Sequence, residues 1–65
     1  MEKTAFDLRV GDIIQAFGTR LTITDIKGVF FPSEGLMLRF EFTRDSIIPI
    51  GYTTLKRVFN VVGHV

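Results

Sequence analysis

The segment from residue 36 to residue 43 is the feature that most constrains how this chain folds, because its large apolar residues recur at every second position. A period of two places alternate side chains on opposite faces of a β-strand. We therefore predict an amphipathic strand here, with one face directed toward the core. The residues predicted on the core face are Leu36, Leu38, Phe40 and Phe42, and those on the opposite face are Met37, Arg39, Glu41 and Thr43.

Four other short segments have strand character and are separated by turn residues. With the strand just described, the predicted strands are residues 13–17, 21–24, 36–43, 47–50 and 56–62. Gly18 and Thr19 predict a tight hairpin, and the change of phase at Ile26 predicts a β-bulge near Asp25. Pro49 has no N–H to donate, so strand 47–50 is predicted at a sheet edge. Residues 27–35 are predicted as a loop, and residues 51–54 as a single helical turn or a loop.

The chain has 65 residues, no cysteine and one histidine, so neither a disulfide framework nor a Cys/His zinc site can stabilise it. Its length predicts a single domain over residues 1–65. No segment favours a helix of normal length. Five short strands favour a small barrel that is closed or partly open, because closure removes exposed sheet edges. We predict an all-β fold, a small five-stranded barrel with one short helical turn.

Two short motifs carry a resemblance to a known architecture. Residues 10–14 read Val-Gly-Asp-Ile-Ile, which resembles the Gly-Asp-aliphatic-aliphatic entry into the second strand of Src-homology-3-like barrels. Residues 48–52 read Ile-Pro-Ile-Gly-Tyr, which is similar to the Pro-x-x-Tyr segment near the end of those barrels. The resemblance extends in outline from Leu8 to Phe59 and implies a small barrel of that type. Peptide-binding members use a groove with a Trp and an acidic loop, whereas this chain has no Trp, so proline-peptide binding is not expected of it.

No combination of residues in the sequence indicates catalysis, a cofactor or a metal. Asp12 follows Gly11, and we expect its carboxylate to hydrogen-bond the turn backbone. His64 is the penultimate residue, where fraying is expected. Ser33 and Ser46 have no histidine nearby to act as a base. We therefore predict a protein that is not an enzyme. An oligomeric enzyme is the third alternative, although the Val-Gln-Ile-Tyr pore motif of plasmid-borne dihydrofolate reductases with this fold is absent.

Charge is nearly balanced, with eight Lys and Arg residues against seven Asp and Glu residues and a net charge of +1. Nucleic-acid binding is therefore the second alternative, in a barrel resembling the KOW type. Its candidate contacts are Arg39, Tyr52, Lys56 and Arg57. No apolar run approaches the ~20 residues that span a bilayer, and the N-terminus does not read as a signal peptide. We expect a cytoplasmic protein without membrane contact.

Apolar residues make up 46% of the chain, more than the interior of so small a barrel can hold. The predicted interior is Ile13, Leu21, Ile23, Leu36, Leu38, Phe40, Phe42, Ile48, Phe59 and Val61. The apolar residues left over are Ile14, Phe31, Met37, Ile47, Ile50, Val58 and Val62. An exposed apolar patch usually marks an interaction site.

Our first prediction is therefore a non-catalytic binding module for protein, including a second copy of itself in a dimer. The candidate contacts are Phe30, Phe31, Ile47 and Ile50, with one of the two phenylalanine rings plugging the barrel and the other facing a partner. A small chain that begins at Met1 without a tail is typical of accessory proteins of phages and other mobile elements, and we expect this one among them.

Overall fold

The computed structural model of the protein describes all 65 residues as a single antiparallel sheet of six strands. The strands are β1 (Glu2–Thr4), β2 (Asp12–Ala16), β3 (Thr19–Phe31), β4 (Gly35–Phe42), β5 (Ile50–Thr54) and β6 (Val58–His64). Their order in the sheet is β1-β6-β2-β3-β4-β5, which leaves β1 and β5 as free edges. The all-β prediction is confirmed, but the sheet has six strands rather than five and is not closed. No helix is long and apolar enough to cross a membrane.

The sheet has two halves: β1, β6 and β2 form the first, and β4 and β5 form the second. The long strand β3 belongs to both. Its first residues pair with β2, and its remaining residues pair with β4. Between Ile23 and Asp25 the register against β4 shifts, so that Thr24 is an extra residue in the ladder. A bulge of this kind bends a strand and increases its twist. The predicted bulge near Asp25 is confirmed, and it turns the two halves of the sheet toward a common core.

Side chains from both halves of the sheet meet in that core. The buried apolar residues are Ala5, Leu8, Ile14, Leu21, Ile23, Phe40, Phe42 and Phe59. Leu38, Ile48 and Val61 are half-buried and pack against them. The ring of Phe40 on β4 meets the ring of Phe59 on β6 edge to face, with centroids 6.5 Å apart. The core predictions for residues 21, 23, 40, 42 and 59 are therefore confirmed.

Two residues predicted in the core lie elsewhere. The first is Ile13 of β2, which is only half-buried. Its neighbour Ile14, predicted outside the core, is buried instead, because it lies opposite the buried Leu21 and beside Val61. The predicted face of this strand is therefore inverted. Leu36 is exposed because it pairs with Phe30 at the far end of the β3–β4 hairpin, beyond the core. Four of the apolar residues predicted to lie outside the core are exposed in the structure: Ile47, Ile50, Val58 and Val62.

Three local predictions are corrected by the structure. Residues 27–31 continue β3 instead of forming a loop, and the chain reverses at residues 32–34, where the Glu34 N–H donates to the Phe31 carbonyl over 3.1 Å. Residues 47–49 are irregular, and the edge strand is Ile50–Thr54, where the sequence predicts a helical turn or a loop. The helical turn lies instead at Ala5–Asp7, after the unpredicted strand β1.

The tight hairpin predicted between the first two strands is confirmed as the β2–β3 hairpin. Ala16 pairs with Thr19, which leaves Phe17 and Gly18 as a two-residue loop. Both have positive φ, 54° and 76°, as a type I′ turn requires. This turn matches the right-handed twist of the strands it joins, and it brings the Phe17 ring under the guanidinium of Arg57 at 5.7 Å.

Candidate functional site

The predicted protein-contact residues lie in two separate places. Phe30 and Phe31 end β3, whereas Ile47 lies in the irregular connection after β4 and Ile50 begins β5. Phe31 pairs with residue 35 and Ile50 pairs with residue 41, at opposite ends of β4. Six residues of strand span about 20 Å. The structure therefore does not bring these residues together in one patch.

The far end of the β3–β4 hairpin carries an exposed apolar pair, Phe30 and Leu36, here called the hairpin patch. The two residues are directly opposite each other in the ladder, and their side chains are 70% and 54% exposed. Cross-strand partners of this kind lie ~5 Å apart at Cβ, so they form one contiguous surface. Neither Phe30 nor Phe31 reaches the core, and the prediction that one ring plugs the interior is wrong.

Phe31 lies on the opposite, outer face of the hairpin, where it contacts Tyr52 of β5. The two ring centroids are 5.6 Å apart, edge to face. Arg39 is the cross-strand neighbour of Tyr52, and its Nη1 donates to Glu41 Oε2 over 2.8 Å. Hydrogen bonding to Glu41, followed by that to Tyr52, raises the pKa of the Arg39 guanidinium. Phe31, Arg39 and Tyr52 are here called the outer aromatic surface. Its only cation, Arg39, is already paired with the carboxylate of Glu41.

The other two candidate nucleic-acid contacts lie in the connection between β5 and β6. The guanidinium of Arg57 lies over the rings of Phe17 and Phe59, at 5.7 and 5.3 Å from their centroids. Lys56 is exposed beside it. The structure therefore brings Arg39 and Tyr52 together as cross-strand neighbours, while Arg57 faces the β2–β3 hairpin.

A polar cluster that sequence reasoning missed surrounds Asp12, which is only 2% exposed. The Arg9 N–H donates to Oδ2 over 2.9 Å, so the predicted turn bond is confirmed. Nδ1 of His64 lies 2.8 Å from Oδ1, and Nζ of Lys3 lies 3.5 Å from Oδ2. His64 pairs with Asp12 across β6 and β2, so the prediction that it frays is wrong. Lys3 on β1 and His64 on β6 come from opposite ends of the sequence and approach Asp12 only through the strand order β1-β6-β2, which gives no local signal.

The environment of Asp12 favours its charged form. Burial alone would raise the pKa of the carboxyl group. The hydrogen bonds from the Arg9 N–H and His64, together with the nearby charge of Lys3, outweigh burial and lower the pKa below its ordinary value. Asp12 is consequently ionised at neutral pH. This does not suit a general acid, because a carboxyl group in that role needs a raised pKa.

The cluster forms part of the wall of an open depression of about 410 Å³. Its lining residues are Met1, Lys3, Arg9, Asp12, Val61, Gly63 and His64. None of them is a Ser, Thr or Cys, so His64 has no nucleophile to activate there. The contacts join β1, β2 and β6, and we interpret them as an attachment of both chain ends to the sheet.

The structure places no three His, Asp or Glu side chains where they would hold a metal ion. No family model, curated protein or solved structure matches the chain. A function for this protein is therefore inferred from its own surfaces.

Proposed function

We propose that this protein is a non-catalytic binding module that contacts a protein partner through the hairpin patch. The observation that carries the proposal is that Phe30 and Leu36 are exposed side by side. They lie on the same face of the hairpin as the core residue Phe40, but beyond the end of the core. Aromatic residues are enriched in the buried centres of protein interfaces. An exposed phenylalanine on a hairpin whose strands are paired to its end is well placed to insert into a partner.

The chemistry of the patch favours an apolar pocket or groove on that partner. The adjoining turn, residues 32–34, carries a single charge at Glu34 and can form a polar rim. Full burial of a phenylalanine or leucine side chain contributes about 1.5–3 kcal/mol. Phe30 and Leu36 together would thus contribute about 3–6 kcal/mol at the apolar centre of the proposed interface.

The Src-homology-3-like resemblance also remains a proposal. It is supported by the strand order, since β2, β3, β4 and β5 pair consecutively and β6 returns to pair with β2. The bulge at Thr24 supplies the bend that a barrel-like arrangement of these strands requires.

The binding proposal is tested with the double variant Phe30→Ser/Leu36→Ser. We expect the immobilised wild type to retain a discrete protein from a nuclease-treated bacterial lysate, and the double variant to retain at least tenfold less of it. The matched control is Val58→Ser, which removes an apolar side chain that is also 54% exposed, on β6. Undiminished capture by the double variant, or loss of capture by the control, would contradict the proposal.

A single-stranded nucleic acid is the second candidate ligand, because the outer aromatic surface places two rings beside a guanidinium. Bases stack on aromatic side chains, and cations neutralise the phosphates. The Arg39–Glu41 pair and the net charge of only +1 oppose this binding, so we expect it to be weak.

Fluorescence anisotropy with a labelled oligonucleotide decides between the two candidates. A micromolar dissociation constant at physiological salt, weakened when Arg39, Lys56 and Arg57 are replaced by Gln, would place nucleic acid first. The affinity should then also fall steeply with added salt.

A further inference from the structure

The edge strand β5 lacks the features that normally prevent sheet edges from pairing with other chains. Natural edges are protected by charged residues, proline, bulges or very short strands. Ile50–Thr54 reads Ile-Gly-Tyr-Thr-Thr, without charge or proline, and its register against β4 is continuous. The opposite edge, β1, has three residues and carries the charges of Glu2 and Lys3. Of the two edges, β5 is the one open to strand addition.

The hydrogen-bonding groups that β5 offers follow from its pairing with β4. The Phe42 N–H donates to the Pro49 carbonyl over 3.0 Å, which fixes the phase of the antiparallel ladder. Hydrogen-bonded positions recur at every second residue of such a ladder, so the next ones on β5 are Gly51 and Thr53. The backbone N–H and C=O groups of residues 50, 52 and 54 consequently point away from β4, toward the open edge.

We propose that two copies of this chain associate by antiparallel pairing of their β5 strands about a two-fold axis at Tyr52. In this register Tyr52 of one copy lies opposite Tyr52 of the other, and Ile50 lies opposite Thr54. It is the register in which residues 50, 52 and 54 of both copies all donate and accept a hydrogen bond. Pairing ends at Pro49, which has no N–H.

A second copy fits this edge better than an unrelated strand, because the edge is complementary to itself. A two-fold interface places the same surface on both sides, and here no like charges meet across the axis. The side chains of Ile50 and Tyr52 are about half exposed on the outer face, where β-branched and aromatic residues stabilise cross-strand pairs. The uncharged strand offers no side chain that would select a charged peptide.

This association goes beyond the proposed function and is independent of it. Tyr52 lies on the outer face of the sheet, whereas Phe30 and Leu36 lie on the core side of the hairpin. The hairpin patch therefore stays free in the dimer. A failure of lysate capture and a failure of dimerisation would be separate results.

The test is a charge exchange at the axis, measured by light scattering coupled to size exclusion at tens of micromolar. We expect the wild type to have twice the 7.4 kDa mass of one chain. Tyr52→Lys and Tyr52→Glu should each associate at least tenfold more weakly, because like charges then lie opposite each other. An equimolar mixture of the two variants should recover the dimer. The control Val62→Lys, at an exposed position on β6, should remain dimeric.

A second pair of variants tests the register and replaces the first pair if residue 52 proves necessary for folding. Ile50→Lys/Thr54→Lys should dissociate the dimer, whereas Ile50→Glu/Thr54→Lys should retain it, because residue 50 of one copy faces residue 54 of the other. A wild type that is strictly monomeric, or that forms rings or filaments, overturns the proposal. So does a Tyr52→Lys variant that stays dimeric, or a mixture of charge variants that stays monomeric.

Discussion

At the scale of single residues, Asp12 has the most consequential environment in the molecule. Its carboxylate accepts a hydrogen bond from the Arg9 N–H and contacts His64 and Lys3. No buried side-chain nitrogen or oxygen in the structure lacks a hydrogen-bond partner. Removing the charge of Asp12 would therefore leave Lys3 and His64 without their shared partner at the place where β1 and β6 are attached.

We predict that Asp12→Asn lowers the free energy of unfolding by about 2 kcal/mol at pH 7, as expected for hydrogen bonds to a charged group. The pKa of Asp12 is lower in the folded protein than its ordinary value of 3.8, so the unfolded chain binds the proton more tightly. The stabilisation is therefore complete well above pH 3.8 and is lost as the pH falls below that value.

Urea denaturation at pH 7 and at pH 3 measures this effect. The difference between wild type and Asp12→Asn should shrink at the lower pH. Asp45→Asn, at an exposed carboxylate in the connection after β4, is the control and should change little at either pH. A difference that is the same at both pH values would show that Asp12 does not act through its charge.

At the scale of elements, the turns depend on glycines whose backbone conformation other residues adopt with strain. Gly35 closes the β3–β4 turn with φ +81°, and a Cβ added there would meet nothing within 4 Å. Gly11 precedes β2 with φ +98°, and an added Cβ would lie 3.0 Å from Cε1 of His64. The two positions share the backbone strain but differ in the space available.

We predict that Gly35→Ala destabilises the fold by ~1–2 kcal/mol from backbone strain alone. Gly11→Ala should be more destabilising than Gly35→Ala, because the His64 ring must also shift by a few tenths of an ångström to make room for the added Cβ. Urea denaturation of the two variants side by side measures the difference. Equal destabilisation would contradict this prediction, because it would show that the His64 ring makes room for the added Cβ without loss of stability.

The success of sequence reasoning at this scale depends on how clearly each strand distinguishes its two faces. In β4 the pattern correctly identifies the faces of Phe40 and Phe42, because polar residues separate them. In β2 the adjacent Ile13 and Ile14 are equally apolar, so the sequence does not show which of them faces the core. The pairing of β2 with β3 and β6 decides this, and it places Ile14 inward. In β5 the inward positions are occupied by Gly51 and Thr53, so no apolar alternation marks the strand.

At the scale of the whole molecule, the stability margin is small. Domains are typically stable by 0.05–0.15 kcal/mol per residue, which gives roughly 3–10 kcal/mol for a chain of this length. The core holds eight buried apolar residues, and Phe40 contacts the rings of Phe42 and Phe59. Losing one central side chain therefore removes a large part of the total stability.

We predict that Phe40→Ala, at a position that is 2% exposed, costs about 3–5 kcal/mol and leaves much of the protein unfolded. The control is Phe30→Ala, the same substitution at an exposed position, which should cost less than ~0.5 kcal/mol. Circular dichroism and thermal unfolding compare the two. A cooperative transition in Phe40→Ala at the wild-type temperature would contradict the assignment of this face to the core.

The candidate sites differ in how far the sequence predicts them. The two adjacent phenylalanines at residues 30 and 31 indicate a surface contact from the sequence alone, because neighbouring residues in a strand face opposite sides. The Asp12 cluster joins Lys3 and His64, which are 61 positions apart in the sequence. Such contacts arise from strand order alone. The pairing of β6 with both β1 and β2 is not apparent from any local pattern.

The membership of β3 in both halves of the sheet has a consequence for how the molecule opens. Thr19–Phe31 pairs first with β2 and then with β4, so neither half retains a complete set of neighbours without it. Partial unfolding of one half would leave the other with an exposed edge and half a core. We therefore expect the molecule to unfold in a single cooperative transition, so that a protease encounters either the native sheet or the unfolded chain.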